Sequence, residues 1–490
     1  MSRSVREVAI VGRDADAWLA ALALKRAFAR TAMRIRVVEL TSRLTAADVY
    51  VATPSLGGLH ALLGLNSGKL LAATGGAPAL GQQFADWNPG QPAFTHGYDT
   101  QRVAIEDIDF LQFWVKARGE GLRVNWDDFS LAAAAARQGR SALAPDGIEE
   151  TIPVAAGLHL DARAYVDLIR RHALHLGVEV TPGGVETIRR DGERIVELRL
   201  NDGASITADL YIDASGSEAI LSDPGAPFTS WRGWFKANRT LTASAPALPA
   251  LPGHSRIVAF EGGWAGLFPL ARRTAIVAAY DSASLGDDAV LARLPQITGA
   301  PQIADVAFGA AEPGMRTAWI GNCVALGGAA AVLERLDATD LHALHIGLTH
   351  LIALFPVDAD HMPEAQAFNA GIADHLNHVR DFQLAHYALN GRSEPFWAQA
   401  RGVDLPPSLA ARLRLFGARG LTLQTENETF QEQNWSAVLL GHGLTPSAHD
   451  PLVDRVPADE QRGKFRALLA RIAEEVRALP PADAFRRAPR

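Results

Sequence analysis

A glycine-containing loop and a downstream acid are the first residues whose types and spacing point to chemistry. The apolar run 8–11 ends at Gly12, and Glu39 follows a second apolar run, 35–38. The dinucleotide-binding fingerprint consists of a strand, a glycine turn that opens a helix, and an acid after the next strand. Its backbone amides contact a pyrophosphate, and its acid accepts hydrogen bonds from ribose hydroxyls. In the loop 12–17 only the first glycine of that fingerprint is present. The pattern predicts a βαβ opening.

Three histidines and one cysteine are the other residues that could carry chemistry. His342 and His345 lie one helical turn apart, with His350 further along, but no carboxylate at matching spacing completes a metal-ligand set. We therefore expect no metal site. Cys323 is the only cysteine of the chain, which rules out an internal disulfide and favours a reducing compartment. Its apolar neighbours indicate a buried, unreactive thiol.

Charge and hydropathy exclude several classes of protein. The formal net charge is -7 and no basic patch stands out, which argues against nucleic-acid binding. The most apolar stretch, 343–357, contains two histidines and is too short to span a membrane. The N-terminus lacks the long apolar region of a signal peptide. We expect a cytoplasmic protein with no membrane or nucleic-acid partner.

Hydrophobic periodicity predicts the elements that position the loop and its acid. A helical pattern covers 18–28, and a second helix runs from an N-cap at Asp161 to Gly177. The turn 201–203 reads Asn-Asp-Gly, which is a hairpin signal. Apolar residues at helical spacing cover 465–479. The combination predicts an α/β protein with a parallel sheet.

The order of predicted elements suggests two interleaved modules. We predict a Rossmann-type module over 1–340. It is interleaved with a β-rich sheet at about 85–150 and 225–300. We assign residues 341–490 to a mainly helical module, because the pattern there is helical almost throughout.

Several stretches together resemble the flavin-dependent tryptophan halogenase family over nearly the whole chain. The matching stretches are 5–28, 159–162, 209–216, 319–327, 379–387 and 435–446. The resemblance implies a box-shaped, GR2-like FAD module that carries a pyramid of helices holding the substrate. It also implies that a separate flavin reductase supplies reduced FAD, and that the substrate is tryptophan or an indole-containing peptide. In the family, a flavin peroxide and a halide give hypohalous acid, which reaches a lysine beside the indole.

The resemblance also assigns the residues that would contact FAD. These positions are Gly12, Arg13, Ala17, Glu39, Ala52, Thr53, Val185, Asp213, Gly216, Gly327 and Thr339. Asp14, however, replaces the glycine that lets backbone approach the pyrophosphate. A carboxylate about 5 Å from one phosphate charge costs roughly 3 kcal/mol at an effective dielectric near 20, which is more than a hundredfold in affinity. Either Arg13 turns onto the phosphates to offset this cost, or Asp14 points away.

Residues implied in the halogenation step depart from the family pattern. The family's lysine position is Ala79, and the nearest lysine, Lys69, lies on the preceding helical stretch. Gly266 replaces a tryptophan of the flavin-side motif, which opens volume unless neighbours refill it. Asp337 takes the place of the assisting glutamate and is the candidate catalytic carboxylate. Asp340 replaces the glycine at the halide-binding step and adds negative charge there.

Three functions remain open from the sequence. The first is a divergent FAD-dependent halogenase or monooxygenase-like oxidoreductase that uses Asp337 without the lysine. The second is a flavin-binding protein that oxidises or sequesters flavin. The third is a pseudoenzyme that acts as a partner subunit, as a homodimer or with an intact paralogue. FAD binding separates the first two functions from the third.

Overall fold

The computed structural model describes residues 3–99, 104–143, 154–222, 225–300, 302–337 and 339–487. The chain divides into two compact units, each made of three separated segments. Unit 1 comprises Met1–Asn66, Leu160–Arg232 and Glu312–Asn377, and unit 2 comprises Ser67–His159, Gly233–Ala311 and His378–Arg490. The stretch 341–377, which the sequence places in the helical module, groups with unit 1.

The strands of the described chain are short to medium in length. In chain order they are β1 (Glu7–Gly12), β2 (Arg34–Glu39), β3 (Val49–Ala52), β4 (Ala77–Ala79), β5 (Gly81–Ala85), β6 (Phe94–Gly97), β7 (Ala104–Ile105), β8 (Ile108–Asp109), β9 (Gly157–Asp161), β10 (Glu179–Pro182), β11 (Val185–Asp191), β12 (Arg194–Leu200), β13 (Ser205–Ile206), β14 (Leu210–Ala214), β15 (Phe228–Ser230), β16 (Arg239–Pro246), β17 (Ser255–Phe260), β18 (Gly263–Pro269), β19 (Arg273–Tyr280), β20 (Ala304–Ala310), β21 (Gly314–Arg316), β22 (Trp319–Ile320), β23 (Cys323–Ala325) and β24 (Ala331–Val332).

The α-helices are concentrated in the last third of the chain, as the sequence predicts. In chain order they are α1 (Asp14–Ala27), α2 (Leu56–Leu62), α3 (Ser67–Thr74), α4 (Phe110–Gly119), α5 (Leu131–Arg137), α6 (Ala162–His175), α7 (Asp287–Thr298), α8 (Asp340–Ala353), α9 (Glu364–Ala388), α10 (Pro395–Arg401), α11 (Pro407–Arg419), α12 (Glu432–Gly441), α13 (Ala458–Ala478) and α14 (Ala484–Arg487). Short 3-10 turns lie at Trp126–Phe129, Gly216–Glu218, Gly327–Ala329 and Pro451–Arg455.

Unit 1 is built on a six-stranded sheet in the order β10-β2-β1-β14-β23-β22. Neighbouring strands are parallel except for β22, which is antiparallel to β23. The central strand β1 is apolar and buried from Val8 to Val11, as a strand covered on both faces must be. The predicted βαβ opening and α/β fold class are confirmed.

Two local predictions in unit 1 are confirmed by geometry. The Asp161 carboxylate caps α6 by accepting from the Ala164 amide at 3.1 Å, and Gly177 follows the helix at φ +81°. β12 and β13 pair antiparallel around the predicted hairpin turn, where Gly203 has φ +86°. A positive φ at these turns is the conformation that glycine adopts without steric cost.

Unit 2 is built on a seven-stranded sheet in the order β20-β16-β19-β18-β17-β5-β6. The hairpins of β16 to β19 lie within 225–300, one of the two ranges predicted to be β-rich. The described part of the other range, 85–150, contributes β6 to this sheet but also contains the helices α4 and α5. α13 buries Phe465, Leu468, Ile472 and Val476 along one face, as its apolar spacing predicts. Within the described ranges, no helix combines the length with the apolar character that a membrane crossing requires.

Candidate cofactor site

The carboxyl edge of the unit 1 sheet brings together residues that are distant in sequence. Gly12 is in register with Glu39 on one side and with Ala214 on the other. Asp213 is in register with Ala325, and the turns that begin at Gly216 and Gly327 follow these strands. Ligands of open parallel sheets bind beyond this edge. The structure therefore groups many of the predicted cofactor residues where a nucleotide would lie.

The remaining predicted cofactor positions are spread over unit 1. Ala17 is buried in α1, and Ala52 is the last residue of β3. The Thr53 hydroxyl lies 2.9 Å from the Ser55 hydroxyl. Val185 opens β11, where it is in register with Leu200 rather than in the main sheet.

Glycine is required in this cleft by close packing within the protein itself. A Cβ on Gly12 would lie 2.4 Å from the Ala214 carbonyl oxygen. Gly327 has φ +55°, and a Cβ there would meet the Asp16 carboxylate at 2.5 Å. The glycines are thus explained by the fold, without a ligand.

The two acids among the predicted cofactor positions are bonded to other side chains and amides of the chain. Arg170 donates to both Glu39 oxygens, at 2.8 and 2.9 Å. Asp213 is fully buried and accepts from the Ser215 hydroxyl and from the Leu221 amide, each at 2.6 Å. These bonds fix the side chains of the β2 and β14 ends in place.

Asp14 and Arg13 resolve the alternatives left by the glycine loop. Asp14 has φ +54°, the left-handed conformation that a glycine would adopt there. Its carboxylate turns to the Ser42 hydroxyl at 2.5 Å and to the Arg43 amide at 3.3 Å. Arg13 donates to Glu218 at 2.7 Å. The side chain of Arg13 is therefore engaged in an ion pair and does not offset Asp14. The Asp14 carboxylate is instead bonded to the segment that follows β2, which corresponds to the second alternative.

A second acid of the loop, Asp16, is the residue that sequence reasoning missed. It is half-buried in the first turn of α1, and it accepts from the Gly328 amide at 3.0 Å. Burial, together with the charges of Asp340, Asp14 and Asp213 and against the effect of the Gly328 amide, raises the pKa of Asp16 to about 7. Three neighbouring carboxylates therefore act on Asp16.

Tyr50 occupies the amide end of α1. Burial, with the charges of Asp16 and Asp14, raises the pKa of Tyr50 well above its ordinary value, while the neighbouring Ala15 amide lowers it. The first-turn amides of a helix are the usual donors to a phosphate. The hydroxyl of Tyr50 therefore lies beside one of these donors.

The polar groups of this cleft do not fit a dinucleotide pyrophosphate. An anion at a helix N-terminus needs free amide donors and positive potential. Here the Tyr50 hydroxyl lies beside the Ala15 amide, Asp16 accepts from the Gly328 amide, and Asp14 adds a further carboxylate. The backbone shape of the fingerprint remains, but acidic side chains now lie beside it.

The segment implied in halide binding also carries an acid where the family pattern has a glycine. Asp340 is the first residue of α8 and lies 3.5 Å from the Arg335 guanidinium. Thr339 is fully buried as the N-cap residue, and Asp337 is buried just before it. The N-terminus of α8 therefore carries its own carboxylate, where a free anion would be stabilised by the helix dipole.

The lysine position and the lost tryptophan lie in unit 2. Ala79 is fully buried in β4 and is in register with Gly157, whereas Lys69 is exposed on α3. A Cβ on Gly266 would lie 2.8 Å from the Phe268 ring and 3.0 Å from Ile257. Neighbours thus refill the volume that the lost indole opens.

The three histidines of α8 are packing residues in the structure. His342 is buried and its Nδ1 lies 3.0 Å from the Ser55 hydroxyl. Across the described parts of the chain, no cluster of three or more His, Cys, Asp or Glu side chains could hold a metal ion. Cys323 is buried, and burial raises the pKa of its thiol, as the prediction of an unreactive cysteine requires.

We expect Asp16 to make the folded state less stable as the pH rises. A carboxyl whose pKa is raised by folding stabilises the protein fully below its ordinary pKa of 3.8, and that stabilisation is lost as the pH passes about 7. One pKa unit corresponds to about 1.4 kcal/mol, so the effect approaches about 4 kcal/mol. Denaturant unfolding at pH 4 and pH 8 should show Asp16→Asn gaining stability over the natural chain only at pH 8. An equal difference in the free energy of unfolding between Asp16→Asn and the natural chain at both pH values contradicts this assignment. The control is Asp191→Asn, which changes an exposed acid of the same unit.

Comparisons with known proteins agree with this architecture. A sequence model of the family described as tryptophan halogenase matches residues 7–458. Tryptophan 6-halogenase SttH of Streptomyces toxytricini is 23% identical over 98% of this chain and 97% of its own. The structure of BrvH, a flavin-dependent halogenase from Brevundimonas sp. BAL3, superposes with a TM-score of 0.91 at 29% identity over 98% of both chains. Xcc4156, a flavin-dependent halogenase from Xanthomonas campestris, gives 0.91 at 28% identity over 99% and 98%.

Proposed function

The chain belongs to the tryptophan halogenase family, and we propose from that premise that it is a non-halogenating member, a pseudoenzyme that acts by binding rather than by flavin chemistry. The family's enzymes depend on flavin, and the proposal is that the present chain has kept their fold without their flavin chemistry. It takes up the third function that the sequence leaves open.

The half-buried Asp16 carboxylate is the observation that carries the proposal. It is held on the Gly328 amide at 3.0 Å, at the N-terminus of the helix that follows the glycine loop. With Asp14 and Asp340 acting on it, the cleft offers negative potential to a cofactor whose pyrophosphate is itself anionic. Loss of the family lysine alone would leave a protein that still binds flavin. The acids beside the glycine loop act one step earlier, on cofactor binding.

Two further replacements support the same conclusion independently. Ala79 has no group that can hydrogen-bond or capture an electrophilic halogen. Asp340 places a carboxylate at the N-terminus of α8, where the family pattern puts a halide. Asp337 retains a carboxylate, but a proton acceptor has no task without a halogenating agent. Under this proposal the partner is a catalytically intact paralogue or a second copy of the chain in the cytoplasm, and a flavin reductase has no role.

A halogenation assay tests the proposal. The purified chain is supplied with FAD, NADH, a flavin reductase and bromide, together with tryptophan or an indole-containing peptide. We expect no brominated product from the natural chain or from Ala79→Lys, because the cofactor and halide steps are also altered. A bromide-dependent product from either protein, absent when the reductase is omitted, would overturn the proposal. An intact family member under identical conditions is the positive control.

A further inference from the structure

Unit 2 contains a cavity of about 300 Å³ that the flavin site and the halogenation residues do not use. Thr95, Gly97 and Asp99 line it from strand β6 and the residues after it. His96, between them, points to the opposite face and contacts the Phe382 ring at 5.7 Å. Alternate residues of a strand face opposite sides. The cavity is therefore separate from the aromatic cluster around Phe382.

One wall of the cavity is aromatic. Phe110, Trp126 and Phe129 line it together. The Phe110 ring lies 5.9 Å from the Trp126 ring and 5.0 Å from the Phe129 ring, between centroids. The faces of such rings carry negative electrostatic potential and attract cations. The volume lies at the lower end of the range of small-molecule sites, about 300 to 1,000 Å³.

The charged residues that line the cavity are mostly acidic. Among the described residues they are the carboxylates of Asp99, Asp109, Asp127, Glu432 and Glu475, against one guanidinium, that of Arg471. Three of these acids have structural tasks. Asp99 accepts from the Ala132 amide at 3.0 Å, Asp109 caps α4 by accepting from the Leu111 amide at 2.7 Å, and Asp127 pairs with Arg137. Glu475 lies 3.7 Å from Arg471. The excess of acids concentrates negative potential in a concave, partly apolar space.

A buried hydroxyl gives an independent indication of a ligand. Thr95 is 1% exposed and lines the cavity, and its hydroxyl has no hydrogen-bond partner in the described parts of the chain. Its amide, by contrast, donates to Asp127 at 2.9 Å. A buried polar atom without a partner costs about 1 to 3 kcal/mol. A ligand with N–H donors would satisfy this hydroxyl.

We propose that this cavity binds a small organic cation, specifically a primary amine that carries an aromatic or alkyl group. The ammonium lies against the acidic side formed by Glu432 and Glu475, and the apolar group lies against Phe110 and Trp126. The helix that supplies Glu475, α13, begins at residue 458, where the family match ends. The inference does not depend on whether the chain binds flavin.

Calorimetric titration of the full chain with 2-phenylethylamine tests the proposal, with the neutral isostere 2-phenylethanol as the matched probe. We expect saturable binding of the amine and at least about tenfold weaker binding of the alcohol. Glu475→Gln should weaken amine binding by about tenfold, and Thr95→Val should weaken it several-fold. Glu474→Gln, an exposed acid next along α13, should change it less than twofold.

Four results would overturn the proposal. One is the absence of amine binding at millimolar concentration, and another is equal affinity for the alcohol. The third is an unchanged affinity in both Glu475→Gln and Thr95→Val. Circular dichroism of each variant shows whether it folds. If Thr95→Val does not fold, the isosteric variant Glu475→Gln alone decides the test. Loss of binding in Glu474→Gln as well would indicate general surface attraction and would also contradict a built site.

Discussion

The triple variant Asp14→Gly/Asp16→Ala/Tyr50→Gly is expected to bind FAD at least about a hundredfold more tightly than the natural chain. One carboxylate charge about 5 Å from a phosphate charge costs roughly 3 kcal/mol at an effective dielectric near 20, so removal of the Asp16 charge at that distance accounts for the expected gain. The titration is run at pH 8, above the pKa of about 7 that burial gives Asp16. The Tyr50 substitution removes the hydroxyl that lies beside the Ala15 amide. Glycine at position 14 adopts φ +54° without strain. Flavin fluorescence quenching during a titration measures the change.

A matched control separates this local effect from a general change in charge. Asp191→Ala/Asp202→Ala removes two exposed carboxylates from the same unit and should leave FAD affinity within about twofold, because exposed charges beyond a Debye length of about 8 Å are screened. If the triple variant and this control bind FAD equally, the loop acids are not what opposes the cofactor.

Acid is expected to unfold the protein well above the pH at which most carboxylates titrate. Burial lowers the pKa of His60 to about 4, that of His159 to about 4 and that of His342 to about 3, from an ordinary value of 6.5. A histidine whose pKa is depressed by folding stabilises the protein above pH 6.5, and that stabilisation is lost as the pH falls through the folded value. Each contributes about 3 to 5 kcal/mol, and whole-domain stability is typically about 5 to 15 kcal/mol. Chemical denaturation between pH 7 and pH 4 should show a steep fall.

Substitution of one buried imidazole tests the origin of this acid sensitivity. His342→Gln removes a group that must gain a proton on unfolding, so the fall in the free energy of unfolding below pH 6.5 becomes shallower. His361→Gln, which changes an exposed imidazole, should leave the slope unchanged. A free energy of unfolding that stays constant from pH 7 to pH 4 in the natural chain would contradict the assignment to buried histidines.

Local patterns predicted the frame of the cofactor site well. The parallel pairing of β1 with β2 follows from the predicted βαβ opening, and the α6 cap follows from the residue type of Asp161. Both features depend on residues that are close together in the sequence, so they can be predicted from it. The family resemblance likewise located Asp14, Ala79 and Asp340 as altered positions.

The partners of the altered residues could not be predicted from the sequence. Asp16 reaches Gly328 across 312 positions, and nothing in the loop indicates that its carboxylate turns to that amide. Tyr50 lies two residues before the predicted cofactor position Ala52, yet its hydroxyl lies beside the Ala15 amide of α1. Gly266 suggests an empty volume only until the side chains of Phe268 and Ile257 are placed. In each case a long-range contact decides the chemistry.

Equilibrium titration of the natural chain with oxidised FAD tests the central claim most directly. The protein is purified without added flavin, and the absorbance near 450 nm and the flavin fluorescence are followed up to micromolar FAD. Because acids and Tyr50 lie at the N-terminus of α1, we predict no saturable binding of FAD by the natural chain. We predict saturation for Asp14→Gly/Asp16→Ala/Tyr50→Gly at the same FAD concentrations. Stoichiometric, saturable binding of FAD by the natural chain would contradict the account.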